Sequence, residues 1–214
     1  MVLQRMVGAK VVLVLLSFYL LTAALPVFAA TTTEPMEQVK ASVDAILLIV
    51  RENKQNLHGE LAGTLRKQIV DIVYDRFDFR AMSQLALAKN WKTINAKEQD
   101  HFVFLFAKLL ENTYYDRINS YSNEEVVFKE QQKKEDKAVV SSVVIRNNVE
   151  TPVVYKLRSK NDKWLVYDVI IEGVSLVRNY RTQFDSIIEK EKYPGLVKRL
   201  EEKIEKKDTG QKPL

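Results

Sequence analysis

A chain of 214 residues with 46% apolar and 29% charged side chains suits one globular domain with a sizeable core. Its formal net charge of +5 carries no nucleic-acid-binding signature. It contains no cysteine, which excludes a disulfide framework, a thiolate metal centre and a lipid anchor on cysteine.

The N-terminus has the three parts of a secretory signal. Arg5 and Lys10 form a basic region. Val11 to Leu25 is apolar except for Ser17 and Thr22, and Val27-Phe28-Ala29 fits the small-residue rule for cleavage. Residues 1–29 therefore read as a signal peptide, cleaved after Ala29; an uncleaved anchor is the alternative. The apolar run is shorter than the ~20 residues that span a bilayer. Loss of Arg5 and Lys10 lowers the net charge from +5 to +3. Residues 30–207 then form a single domain, and 208–214 a polar, disordered tail.

After a polar leader over 30–35, Met36, Val39, Val43, Ile46, Leu47 and Val50 recur at helical spacing and predict a first helix. His58-Gly59 breaks it. Leu61, Leu65, Ile69, Ile72 and Val73 predict a second helix to Tyr74, and Phe77 to Leu87 a short third. Asn95 and Glu98 form a variant capping box that starts a fourth. Its run His101-Phe102-Val103-Phe104-Leu105-Phe106-Ala107 covers most of the circumference. One side of this helix is expected to face the core, and the other a second layer or a bound apolar ligand.

Residues 125–171 change to strand character. Val126 to Lys133, Lys137 to Arg146, Val153 to Lys160 and Lys163 to Ile171 predict four strands. The short connections Glu135-Asp136, Asn147-Asn148 and Asn161-Asp162 predict an antiparallel meander. In the last strand, simple alternation puts Leu165, Tyr167, Val169 and Ile171 on one face and Trp164, Val166, Asp168 and Ile170 on the other. Both faces are largely apolar, which predicts a sheet covered on both sides, or covered on one and lining a cavity on the other. Glu172-Gly173 ends the sheet, and helices follow over 176–190 and 194–206. The fold class is α+β: a four-stranded twisted antiparallel sheet wrapped by N-terminal and C-terminal helices.

No catalytic constellation emerges. His58 and His101 are far apart and lack ligand spacing; His101, on the buried-looking helix, reads as structural. Gly173-Val174-Ser175 lacks the second glycine of a nucleophile elbow, and Ser175 reads as a helix N-cap. Asp168 in an apolar strand is either a hydrogen-bonded residue fixing the strand end or a general base in a pocket. Tyr114, Tyr115 and Tyr121 suit a pocket mouth or ordinary core packing. Arg178 and Arg181 suit lipid phosphates, an acidic partner or a solvated helix face.

Trp164, Tyr167-Asp168, Glu172-Gly173-Val174-Ser175-Leu176 and Phe184 together resemble, in order and spacing, the signature of the MlaC family, also called toluene-tolerance proteins. Upstream, Phe77-Asp78-Phe79, Trp91-Lys92, Gln99, Phe102, Phe106, Leu110 and Tyr114 fit as well. The resemblance extends from about Val39 to Leu200. The family often has a glycine shortly before the tryptophan, where this chain has Leu87-Ala88-Lys89-Asn90. The resemblance implies a sheet of the nuclear-transport-factor-2 class with an apolar pocket for acyl tails. It implies a periplasmic phospholipid carrier, without enzymatic activity or cofactor, that maintains outer-membrane lipid asymmetry. Its implied partners are phospholipid, an outer-membrane lipoprotein complex and an inner-membrane ABC-type complex, and a monomer is expected. Apolar residues on elements that look buried twice are the candidate lipid-binding set: Phe102, Phe106, Leu110, Tyr114, Val143, Tyr167, Val169 and Ile171. A binder of another hydrophobic molecule, or a proton-transfer enzyme using Asp168, is the alternative.

Overall fold

The computed structural model describes residues 34–55, 60–119 and 123–208. The predicted signal peptide, most of the polar leader, His58, Tyr121 and the tail from residue 209 lie outside the described residues.

Helix α1 (Pro35–Glu52) starts with proline in its first turn, where a missing N–H costs nothing. Helices α2 (Ala62–Arg76) and α3 (Phe79–Leu87) follow, then a 3-10 turn over Ala88–Thr93 and the long α4 (Ala96–Asn119). The capping box at α4 is reciprocal. Glu98 N–H donates to Asn95 Oδ1 at 3.0 Å, and Asn95 N–H donates to Glu98 Oε2 at 2.8 Å.

The strands are β1 (Glu125–Lys134), β2 (Lys137–Arg146), β3 (Val149–Lys160), β4 (Lys163–Ile171) and a two-residue β5 (Val174–Ser175). They form one antiparallel meander in chain order. The predicted four strands are present, and β5 adds a short fifth. β3 starts earlier than its apolar pattern suggests because Asn147 and Asn148 both take positive φ, a two-residue turn that pairs Arg146 directly with Val149. Asn161-Asp162 and Glu172-Gly173 make the same kind of turn.

The face assignment of β4 needs correction. Lys156 pairs with Asp168 and Leu157 with Val166, so Tyr167 is an extra residue in a bulge. A bulge shifts the pleat by one residue. Trp164 and Val166 therefore share the inner face with Val169 and Ile171, whereas simple alternation would oppose them.

Helix α5 (Leu176–Asp208) contains a break at Lys192 (φ 63°), which divides it into the two predicted helices. Ser175 caps its start by accepting Arg178 N–H at 3.1 Å. Asp168 ties this start to the sheet: one carboxylate oxygen accepts the Ser175 hydroxyl at 2.8 Å and the other accepts Val177 N–H at 3.2 Å.

Asp78 does the same for α3. Its Oδ1 accepts Ala81 N–H at 2.8 Å, and its Oδ2 accepts both Arg158 Nε and the Arg158 terminal nitrogen from β3. Burial pushes the Asp78 pKa up, but the Ala81 and Arg158 hydrogen bonds outweigh it and the net shift is downward. A depressed carboxylate pKa stabilises the fold above the unfolded value of about 3.9, and that contribution is lost as pH falls through the folded value. Asp78→Asn is expected to cost about 2 kcal/mol at neutral pH. The difference should shrink as the pH falls below the unfolded carboxylate value and through the depressed folded one, read in urea titrations run across pH.

At the end of α3, Ala88 takes φ 48° and ψ −116°. Glycine adopts this conformation without strain and alanine does not. Ala88 lies in the stretch Leu87–Asn90, where the resembled family often has a glycine. Ala88→Gly is expected to stabilise the protein by about 1 kcal/mol, raising Tm by ~2–4 °C in a thermal melt.

Candidate functional site

The buried apolar residues fall into three clusters. The first joins α3, the 3-10 turn, α4 and α5, and is filled by aromatic rings. Phe102 stacks on Phe106 at 5.9 Å, Phe106 meets Tyr180 edge-on at 5.2 Å, and Phe102 meets Phe184 edge-on at 5.6 Å. The second joins the start of α1 to the inner face of the sheet. The third is small, with Val50 of α1, Leu65 and Ile69 of α2, and Tyr115 of α4.

Between the clusters lies a cavity of about 350 Å³. The sheet contributes Val153, Tyr155, Val166, Val169 and Ile171 to its wall. Helix α1 contributes Val39, Val43 and Ile46; α2 contributes Ile69, Ile72 and Val73; α4 contributes Leu110, Tyr114 and Tyr115. Most of these side chains are β-branched and short, and they leave the space between the layers open. The aromatic cluster beside it has no such space because phenyl rings fill it.

Polar groups stand at the margins, tied to protein partners. Glu111 of α4 is nearly buried and held by Arg66 of α2 at 2.7 Å and Lys108 at 2.9 Å. Arg66 also donates to Asn112 Oδ1 at 2.6 Å and lies over the Tyr115 ring at 4.8 Å. Arg76 of α2 donates to Ser42 Oγ at 3.0 Å, Gln38 Oε1 at 2.6 Å and the Trp164 carbonyl at 2.9 Å. Burial lowers the Arg76 pKa, with Asp75 acting against that shift. Burial likewise raises the Tyr155 hydroxyl, with a hydrogen bond from Ser142 opposing it.

The candidate residues divide by position. Leu110, Tyr114, Val169 and Ile171 come together on the cavity wall. Phe102 and Phe106 are fully buried in the aromatic cluster and do not border the cavity. Val143 pairs with Val127 and Pro152 on the opposite face of the sheet. Tyr167 is the bulge residue and also lies off the wall. The α1 and α2 contributions were visible in the sequence as helical stripes, but nothing in a stripe distinguishes a wall from a core.

The other singled-out groups have structural partners. His101 is exposed, with Nε2 3.5 Å from Glu201, and is not buried as its helix suggested. Phe104 of the same helix is also exposed. Arg181 donates to the Leu85 carbonyl at 2.7 Å, and Arg178 lies on an exposed face. Asp168 is committed to Ser175 and Val177, with Lys156 3.9 Å away. Among the described residues no group of three His, Cys, Asp or Glu side chains is placed to hold a metal ion. The arrangement can exclude water from hydrocarbon; it brings together no nucleophile and base.

Comparison with known proteins agrees with this geometry. The solved structure of a phospholipid-binding protein from Ralstonia solanacearum, in complex with a phospholipid, is 27% identical. The similarity covers 82% of this chain and 99% of that one, with a TM-score of 0.74. The intermembrane phospholipid transport system binding protein MlaC of Haemophilus influenzae is 19% identical over 196 residues, 86% of this chain and 91% of that protein. The family model described as MlaC protein matches residues 40–202, from the first turns of α1 almost to the end of α5, and the chain belongs to the MlaC family.

Proposed function

We propose that this protein carries phospholipid through the periplasm by holding its acyl chains in the cavity between the sheet and helices α1, α2 and α4. The observation that carries the proposal is the cavity itself, walled almost wholly by apolar side chains from both layers. Acyl chains cannot cross water unaided. Each exposed CH₂ costs ~0.8 kcal/mol, so a lipid with about 30 of them faces a barrier on the order of 20 kcal/mol. A cavity of valine and isoleucine offers the chains much what a bilayer offers. Transfer between membrane and protein is then close to neutral, and direction is set by the partners.

The relatives support this reading. One is a phospholipid transport binding protein, and another was solved with phospholipid bound. The partners expected on this reading are an outer-membrane lipoprotein complex and an inner-membrane ABC-type complex, each exchanging lipid with the carrier. The secretory pattern of residues 1–29 supports a periplasmic location. Leu110, Tyr114, Val169 and Ile171 are assigned to chain contact, together with the valines of α1 and the isoleucines of α2.

The test is transfer of a labelled phospholipid from donor to acceptor vesicles. Val169 is nearly buried and faces the cavity. Val169→Glu sets a carboxylate among the chains and is expected to slow transfer by about tenfold while the protein stays folded by circular dichroism. Val143→Glu, on the other face of the sheet, is expected to leave transfer unchanged. Equal rates for Val169→Glu and the parent protein would remove the cavity from the mechanism.

A further inference from the structure

The cavity volume sets how much hydrocarbon enters without rearrangement. An apolar protein cavity of roughly 150 Å³ takes up benzene, which allows about 25 Å³ per carbon. On that scale a cavity of about 350 Å³ takes ~14 carbons, close to one acyl chain. A diacyl lipid brings about twice as much, more than this volume holds.

The walls are unequally attached. At one end, the start of α1 and the end of α2 are pinned to the sheet. Met36 N–H donates to Gln131 Oε1 at 2.9 Å, and Trp164 N–H donates to Gln38 Oε1 at 3.0 Å. Arg76 links Gln38, Ser42 and the Trp164 carbonyl. At the other end, the end of α1 reaches the approach to β1 through Arg51 and the Glu124 carbonyl and through Lys54 and Asn123, and α2 meets α4 through Arg66, Glu111 and Asn112. Beside that bridge are two buried polar atoms, Asn112 Nδ2 and Tyr115 OH, which have no hydrogen-bond partner. Their residues are 8% and 7% exposed and stand three positions apart on α4. Buried unpartnered donors are rare and disfavour the arrangement that buries them. Separation of this joint gives them water. Among the described residues, the pinned end buries no such atom.

We propose that the folded cavity is a one-chain site, filled by monoacyl lipids such as lysophospholipids without rearrangement, and that a diacyl lipid enters when the α1–α2 pair separates from α4 at the Arg66–Glu111 joint. This rests on the carrier reading. It adds a ligand class, single-chain amphiphiles, and locates the seam that opens for two-chain ones.

The absence of native cysteine makes the test specific. Lys54, just past α1, donates to Asn123 Oδ1 at 2.5 Å, ahead of β1, and both residues are exposed. Lys54→Cys with Asn123→Cys gives two thiols, which a short bismaleimide joins in the folded, delipidated mature protein. Linked and unlinked samples are each offered lysophosphatidylethanolamine, or vesicles of phosphatidylethanolamine, and bound lipid is counted by native mass spectrometry. The unlinked protein is expected to load both lipids. The linked protein should load the monoacyl lipid within about twofold of the unlinked one, and the diacyl lipid about tenfold less. Undiminished diacyl loading by the linked protein, or loss of both lipids on linking, overturns the proposal. If even the unlinked protein takes neither lipid, the carrier reading itself fails, and the one-chain site with it.

Discussion

Valine and isoleucine side chains on the inner face of the sheet meet the start of α1 but leave the space beyond that contact open, and this shortfall in volume shapes the rest of the structure. Val153, Val166, Val169 and Ile171 share with Val39, Val43, Ile69 and Val73 the wall of a cavity of about 350 Å³. Leaving these side chains short of partner atoms forfeits packing attraction that a filled core would have. The helical half has a core of its own beside the cavity and shares Phe79, Met82 and Leu110 with its wall. Phe102, Phe106, Tyr180 and Phe184 form a dense core that needs nothing from the cavity.

The polar links serve the same division. Asp78 joins α3 to β3 through Arg158, and Asp168 joins β4 to the start of α5 through Ser175 and Val177. Each carboxylate caps a helix while gripping the sheet or its continuation, so the helical core stays registered on the strands without apolar filling between them. The α1–α2 pair is attached to the sheet at one end by the hydrogen bonds of Gln38 and Arg76 and by the Lys163–Asp75 ion pair, and to α4 at the other by the Arg66 bridge.

Much of this was legible in the sequence. The capping box at Asn95 and Glu98, the asparagine turns, the bounds of β2 and β4 and the cap at Ser175 follow from local chemistry, and the structure has them where that chemistry puts them. The cavity wall was only half legible. Leu110, Tyr114, Val169 and Ile171 are on it, whereas Phe102 and Phe106 are not. Phe102 and Phe106 fill the apolar space around them by stacking on one another, whereas the wall mixes tyrosines with many valines and isoleucines that leave space open. Tyr167 was misplaced for another reason. A bulge inserts one residue without a glycine or proline to announce it, and every residue beyond it changes face. The family signature survives these local errors because it lies in residues with fixed duties, such as Asp168 and Ser175 at the sheet-to-helix junction.

The central claim is that the gap between sheet and helices is kept for hydrocarbon. It is tested most directly by preparing the protein without detergent and weighing it by native and then denaturing mass spectrometry. The account predicts co-purified phospholipid at a fixed stoichiometry, released on denaturation. A protein that emerges lipid-free and takes up none from vesicles would contradict it.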